Sequence, residues 1–187
     1  MLAALMGMCG TGSFSATFFV PSAVNSIFRL DALSAAYIIS TGFTAAIFAN
    51  LLLGYLNDHF NRWNVMSGAI AIMIPASFAL TTTNLLLFRV AAAVVLAVGL
   101  ATCNQVYAIA GDVLRGSETG NVMGIIGLGG GIFGYVGPQA LGLLRDWTGG
   151  FSAGWYLLTG VAALATIEIL YLRQTGVRQP IAARAGA

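Results

Sequence analysis

The residues best equipped for chemistry cluster in one short stretch, Gly54-Tyr55-Leu56-Asn57-Asp58-His59-Phe60-Asn61-Arg62-Trp63. It places a carboxylate, an imidazole and a guanidinium close together at Asp58, His59 and Arg62. Apolar runs without a charge lie on both sides. A charge in hydrocarbon costs several kcal/mol, so this stretch belongs at a water interface. His59 is the only histidine. No nucleophile–base pair or metal-ligand cluster accompanies it, so neither an enzyme, a metal nor a cofactor is expected. Cys9 and Cys103 both fall in apolar runs, and without a C-x-x-C they read as buried, inert thiols.

The elements that must carry this stretch follow from composition. The 187 residues are 58% hydrophobic and 7% charged, with mean hydropathy +0.88. Soluble domains carry about 25% charged residues, so the chain reads as an integral membrane protein that contacts lipid. A net charge of +2 gives no reason to expect nucleic acid as a partner. The charges divide the sequence into charge-free runs at 1–28, 32–57, 63–88, 90–111, 119–144 and 147–167. Each approximates the ~20 residues a helix needs to cross a bilayer, which predicts six transmembrane helices. The alternating ten-residue strands of a membrane barrel are absent from the pattern. The first run lacks a basic leader and is too long for the apolar part of a signal peptide.

Arginine placement predicts orientation. Arg62, Arg115, Arg173, Arg178 and Arg184 fall on one side, Arg29, Arg89 and Arg145 on the other. This bias puts both termini in the cytoplasm. Trp147, Trp155 and Tyr156 read as an interfacial aromatic belt. The membrane domain is expected over residues 1–173 and a disordered tail over 174–187.

Polar residues inside the spans are the remaining candidates. Span one carries Thr11 and Ser15, span two Tyr37, Thr41 and Asn50, and span four Asn104 and Gln105. Such groups either join helices or line a wet cavity. No charge falls in the middle of a span; Arg89 and Asp112 mark the ends of span four, and Glu168 lies near the end of span six. Spans three and six are the least polar and are expected to face lipid. In span five Gly120, Gly124, Gly127, Gly131, Gly134 and Pro138 recur every three or four residues on one face. Such a stripe lets a neighbouring helix pack closely, either statically or as a sliding surface.

Two stretches carry a family likeness. Gly54, Asp58 and Arg62 match the G-x-x-x-D-(R/K)-x-G-(R/K) loop of the major facilitator superfamily, which the chain resembles over about residues 4–173. His59 replaces the usual basic residue and Asn61 the usual second Gly; Asn tolerates the left-handed turn that Gly supplies. Gly127-Leu128-Gly129-Gly130-Gly131, Gly134-Tyr135-Val136-Gly137-Pro138 and Gly142-Leu143-Leu144-Arg145-Asp146-Trp147-Thr148-Gly149-Gly150-Phe151 resemble its next-to-last span, nearest the anion:cation symporter branch. Gly137-Pro138 and Gly142 are also similar to the antiporter motif of drug exporters, with Leu141 in place of one closing Gly.

The resemblance implies the C-terminal six-helix half of a twelve-helix transporter, built from two inverted three-helix repeats, with an N-terminal half as partner. It implies substrate contacts from Thr11, Ser15, Tyr37, Thr41, Asn104 and Gln105, and a conformational latch at Gly54, Asp58 and Arg62. The implied function is alternating-access transport of a small organic solute, nearest a carboxylate, coupled to a proton or cation across the cell membrane. The missing mid-span charges would then belong to the other half. A drug exporter and a truncated, non-transporting membrane protein are the alternatives.

Overall fold

In the computed structural model, which describes residues 1–113 and 119–174, the chain folds into six helices. These are α1 (Leu2–Phe28), α2 (Ala32–His59), α3 (Arg62–Ala79), α4 (Leu85–Val113), α5 (Thr119–Thr148) and α6 (Ser152–Gln174). There is no strand among the described residues. Arg115, Arg178, Arg184 and the expected tail beyond Gln174 lie outside them.

Local chemistry sets the helix ends. Asp31 caps α2, accepting the Ser34 backbone N–H at 3.0 Å. This bond and that from the Ser34 side chain hold the Asp31 carboxyl below its ordinary pKa. Asn84 caps α4, accepting from the N–H groups of Leu86 and Leu87 at 3.0 and 3.1 Å. Asn residues at such positions satisfy N–H groups that the first helical turn leaves unpaired. The charge-free run 63–88 is therefore not one span: it breaks at residues 80–84, and Leu85–Phe88 open α4. Five helices are long and apolar enough to cross a membrane. The exception, α3, has 18 residues and opens on Arg62, Trp63 and Asn64.

Packing follows an internal symmetry. α1 lies along α5 and α4 along α2, α1 and α4 touch at the centre, and α3 packs on α6. Exchanging the first three helices with the last three maps this set of neighbours onto itself, as inverted repeats require. In its most apolar stretch α1 is 61% buried and α4 50%, against 17% for α2 and for α5. The core thus sits around α1 and α4, with α2 and α5 at its flanks. α3 and α6 are not simply lipid-facing: Met66, Ile70 and Met73 of α3 and Trp155, Leu158 and Ile169 of α6 are buried. Trp155 is consequently a core residue rather than part of an interfacial belt, packed against Phe88 and Phe151 at ring separations of 6.3 and 6.4 Å. Trp147 and Tyr156 are exposed.

The α5–α6 link explains part of the motif residues. Gly149 has φ +71°, a conformation that disfavours other residues, and its N–H closes onto the Arg145 carbonyl at 2.8 Å. Arg145 donates to Ser22 of α1 at 3.2 Å and sits 4.7 Å over the Phe151 ring. The Arg-Asp-Trp-Thr-Gly-Gly-Phe segment therefore ties the α5–α6 turn to α1.

Candidate functional site

The exposed face of α4 organises the polar residues. Arg89 and Asn104 are exposed and Leu100 half-buried between them. Their spacings of 11 and 4 residues keep all three on one side of the helix. Two clefts open along this face.

The first lies between α1, α2 and α4, with a volume of about 310 Å³. Phe14 and Met6 come from α1, Phe43, Ile47 and Asn50 from α2, and Leu100 and Asn104 from α4. The Asn104 amide donates to the Asn50 carbonyl oxygen at 2.8 Å, while Asn50 donates to the Ala46 carbonyl of its own helix at 2.8 Å. Asn104 is exposed on the cleft wall. The arrangement is an apolar, aromatic-walled cleft with one exposed amide, which suits a small organic molecule carrying a polar group.

The second cleft, about 340 Å³, lies where α2 and α4 begin and is lined by Ser34, Tyr37, Ile38, Thr41 and Arg89. The Thr41 hydroxyl donates to the Tyr37 carbonyl at 2.7 Å. Tyr37 and Thr41 thus share a site with each other, but not with Asn104.

The other predicted lining residues are sealed. Gln105 is 8% exposed and accepts from Asn57, so it fastens α4 to the end of α2. Thr11 and Ser15 are 4% and 0% exposed, lodged between α1 and α5. Thr11 donates back to the Gly7 carbonyl at 2.9 Å. Both face Gly137, where a β-carbon would lie 2.8 Å from the Thr11 methyl and 2.9 Å from the Ser15 oxygen. They are helix-packing residues within this chain, because the missing side chain of Gly137 draws α5 over them.

The glycine stripe is displaced in the same way. Gly120, Gly124 and Gly131 have no neighbour within 4 Å of an added β-carbon; Gly127 meets only the Tyr107 hydroxyl and Gly134 only the Phe14 ring, each at 3.1 Å. Pro138 is half-buried. The face of α5 buried in this chain is instead Ile126, Gly130, Gly137 and Leu141, one residue back and so about 100° around the helix. Among the α5 glycines Gly129 comes closest, its missing β-carbon taking the place where the Ala3 backbone carbonyl passes.

At the charged loop, Asp58 lies in the last turn of α2 and Arg62 begins α3. Asn61 is not left-handed: at φ −65°, ψ 120° it caps α3, accepting from the Trp63 N–H at 2.9 Å. Gly54 borders open space. Asp58 is exposed at a helix C-terminus, where the helix dipole disfavours a carboxylate. Its own helix does not account for its charge. Cys9 and Cys103 are buried free thiols, as expected. No cluster of three metal-ligating residues exists among the described residues.

Sequence reasoning missed Arg89, Phe14 and Phe43. By charge alone Arg89 marks the end of a span, whereas α4 starts four residues earlier; the Thr81-Thr82-Thr83-Asn84 run before three leucines is the signal for that start.

A family model described as Major Facilitator Superfamily matches residues 2–186. No curated protein matches the chain.

Proposed function

The chain belongs to the major facilitator superfamily, and from that premise we propose that it works in secondary active transport of a small organic carboxylate, coupled to a proton or cation. It is a multi-pass helical membrane protein of a transporter family. The carrying observation for a solute site is the cleft between α1, α2 and α4, with Phe14 and Phe43 on its walls and the Asn50–Asn104 amide pair across it. The carboxylate reading is supported by the likeness of residues 127–151 to the anion:cation symporter branch.

In this reading the open faces of α2 and α5 meet a second six-helix half, N-terminal to this one. Gly54, Asp58 and Arg62 latch its cytoplasmic side, and the protein sits in the cell membrane with both termini in the cytoplasm. Asp58 at the unfavourable end of α2 supports the latch, since the N-terminus of a partner helix would stabilise it by about 0.3–1 kcal/mol.

The test is uptake by vesicles containing the purified protein under an imposed pH gradient. Radiolabelled monocarboxylates and dicarboxylates are compared with neutral sugars. Gradient-dependent carboxylate uptake, weakened about fivefold by Asn104→Ala, is expected, the loss of one hydrogen bond of about 1 kcal/mol. Uptake confined to sugars, or carboxylate uptake indifferent to Asn104, would refute the proposal.

A further inference from the structure

We propose that Arg89 and Tyr37 form an oxyanion-binding site in the cleft where α2 and α4 begin, and that it receives the carboxylate of the transported solute. This deepens the carboxylate-carrier reading and rests on it. Arg89 lies four residues inside α4 and not in the connecting turn. That is past the first turn, where the partial charge of a helix start acts, so the guanidinium does not serve the helix end. Among the described residues Arg89 makes no ion pair.

Of the other charges at this end, Asp31 adjoins the cleft through Ser34, which occupies it, and the rest are engaged away from the cleft or of the wrong kind. Asp31 accepts from Ser34 at the start of α2, and Arg145 is engaged with Ser22 and Phe151. Arg29 caps the end of α1, and Asp146 cannot attract an anion.

The donor set matches an oxyanion. Arg89 offers a fork of N–H groups suited to bidentate carboxylate binding. The Tyr37 side chain, 66% exposed, adds a phenolic O–H. Thr41 has spent its hydroxyl proton on the Tyr37 carbonyl and can only accept; it shapes the cleft without binding the anion. Ile38 gives an apolar floor, and about 340 Å³ accommodates a small molecule. Arg89 also shares its face of α4 with Asn104, about 22 Å further along at 1.5 Å per residue. It therefore lies on the same open face as the candidate solute cleft.

A phosphate in a lipid headgroup offers the same chemistry as a carboxylate, and the test separates the two. Purified protein is placed in discs of neutral phosphatidylcholine and titrated with sodium benzoate or sodium succinate, with sodium chloride as control. Binding is read from the thermal unfolding midpoint. The midpoint is expected to rise with a carboxylate, with binding about 10–100-fold weaker in Arg89→Gln, the scale of lost charge-assisted bonds. Arg89→Lys should restore part of it and Tyr37→Phe should weaken it less. The unliganded midpoint of each variant shows that the fold is intact.

In parallel, mass spectrometry of protein from phosphatidylglycerol discs counts retained lipid. Lipid retention that depends on Arg89, without carboxylate binding, supports the oxyanion site and overturns its assignment to the solute. Binding of neither, or binding indifferent to Arg89, overturns the site itself. Vesicle uptake of a carboxylate unaffected by Arg89→Gln would leave the transport reading standing and the site refuted. Arg89-dependent binding without uptake would do the reverse.

Discussion

The contact between α1 and α5 gives the sharpest test of the fold. Gly129 and Gly131 are two residues apart in the same helix, and sequence periodicity favours Gly131 as the packed one. The structure reverses this. A β-carbon at Gly129 would fall inside the van der Waals envelope of the Ala3 carbonyl oxygen, 2.8 Å from its carbon and 3.1 Å from the Ala3 Cα. These are backbone atoms, so no rotamer change relieves the clash. At Gly131 nothing lies within 4 Å. Replacing Gly by Ala in a helix interior gains about 1 kcal/mol from propensity alone. Gly131→Ala should realise that gain. Gly129→Ala should lose about 1–3 kcal/mol to overpacking and come out neutral to 2 kcal/mol destabilised. The gap between the two variants is then about 1–3 kcal/mol, at roughly 2–4 °C in midpoint per kcal/mol for a chain of this size. Thermal unfolding in detergent measures it directly. A Gly129→Ala protein as stable as Gly131→Ala would show that α1 and α5 do not approach as described.

Arg29 holds a left-handed φ of 53° after α1, so Arg29→Gly should stabilise by about 1 kcal/mol, read by the same melting assay; an unchanged or lower midpoint would deny the strain. Asn57→Leu leaves the buried Gln105 amide unpaired and should cost about 1–3 kcal/mol, much of it recovered in the double variant with Gln105→Leu; additive losses in the double-mutant cycle would refute the pairing. The Asp31 carboxyl is held below its ordinary pKa by Ser34, so the stability it contributes is present above the usual aspartate value near 4 and lost as pH falls through its lower folded value. Melting midpoints from pH 6 downward should fall less in Asp31→Ala than in the parent, and parallel curves would count against the cap. Asp58→Asn should leave folding intact and slow uptake, and a normal uptake rate would reduce the charged loop to a connector.

The six helices were legible because a bilayer forces apolar runs of fixed length between charges, a constraint that packing cannot override. Helix ends were less so: the run 63–88 reads as one span by charge alone, and only the capping chemistry of Asn84 reveals the break. The candidate site was legible in composition but not in facing. Asn104 and Gln105 are adjacent, hence about 100° apart on the helix, and one faces the cleft while the other is sealed against Asn57. Thr11 and Ser15 carry polarity that suits a cavity, yet the neighbour that covers them is a glycine, and a glycine's effect lies in what it lets approach. Residues 129–131 are three consecutive glycines, so every register of the helix offered a small-residue stripe and periodicity could not choose between them.

The internal symmetry places α1 against α5 as it places α4 against α2, and both seams use missing side chains, in different proportions. The α1–α5 seam is closed by missing side chains: Gly7 over Phe133, Gly129 over the Ala3 backbone, Gly137 over Thr11 and Ser15. Interlocked surfaces of this kind do not slide without lifting apart, since packed interiors have no slack. The α2–α4 seam has one such contact, Gly42 over Leu96, and adds the amide pairs Asn50 with Asn104 and Asn57 with Gln105, whose bonds within membranes are worth only about 0.6 kcal/mol on average. Amides also exchange partners, including water or a solute amide or carboxylate, at little cost. α2 bears Asp58 at one end and Tyr37 at the other. The charged loop and the Arg89 cleft thus stand at opposite ends of the helix whose seam with α4 carries both exchangeable amide pairs and a close glycine contact.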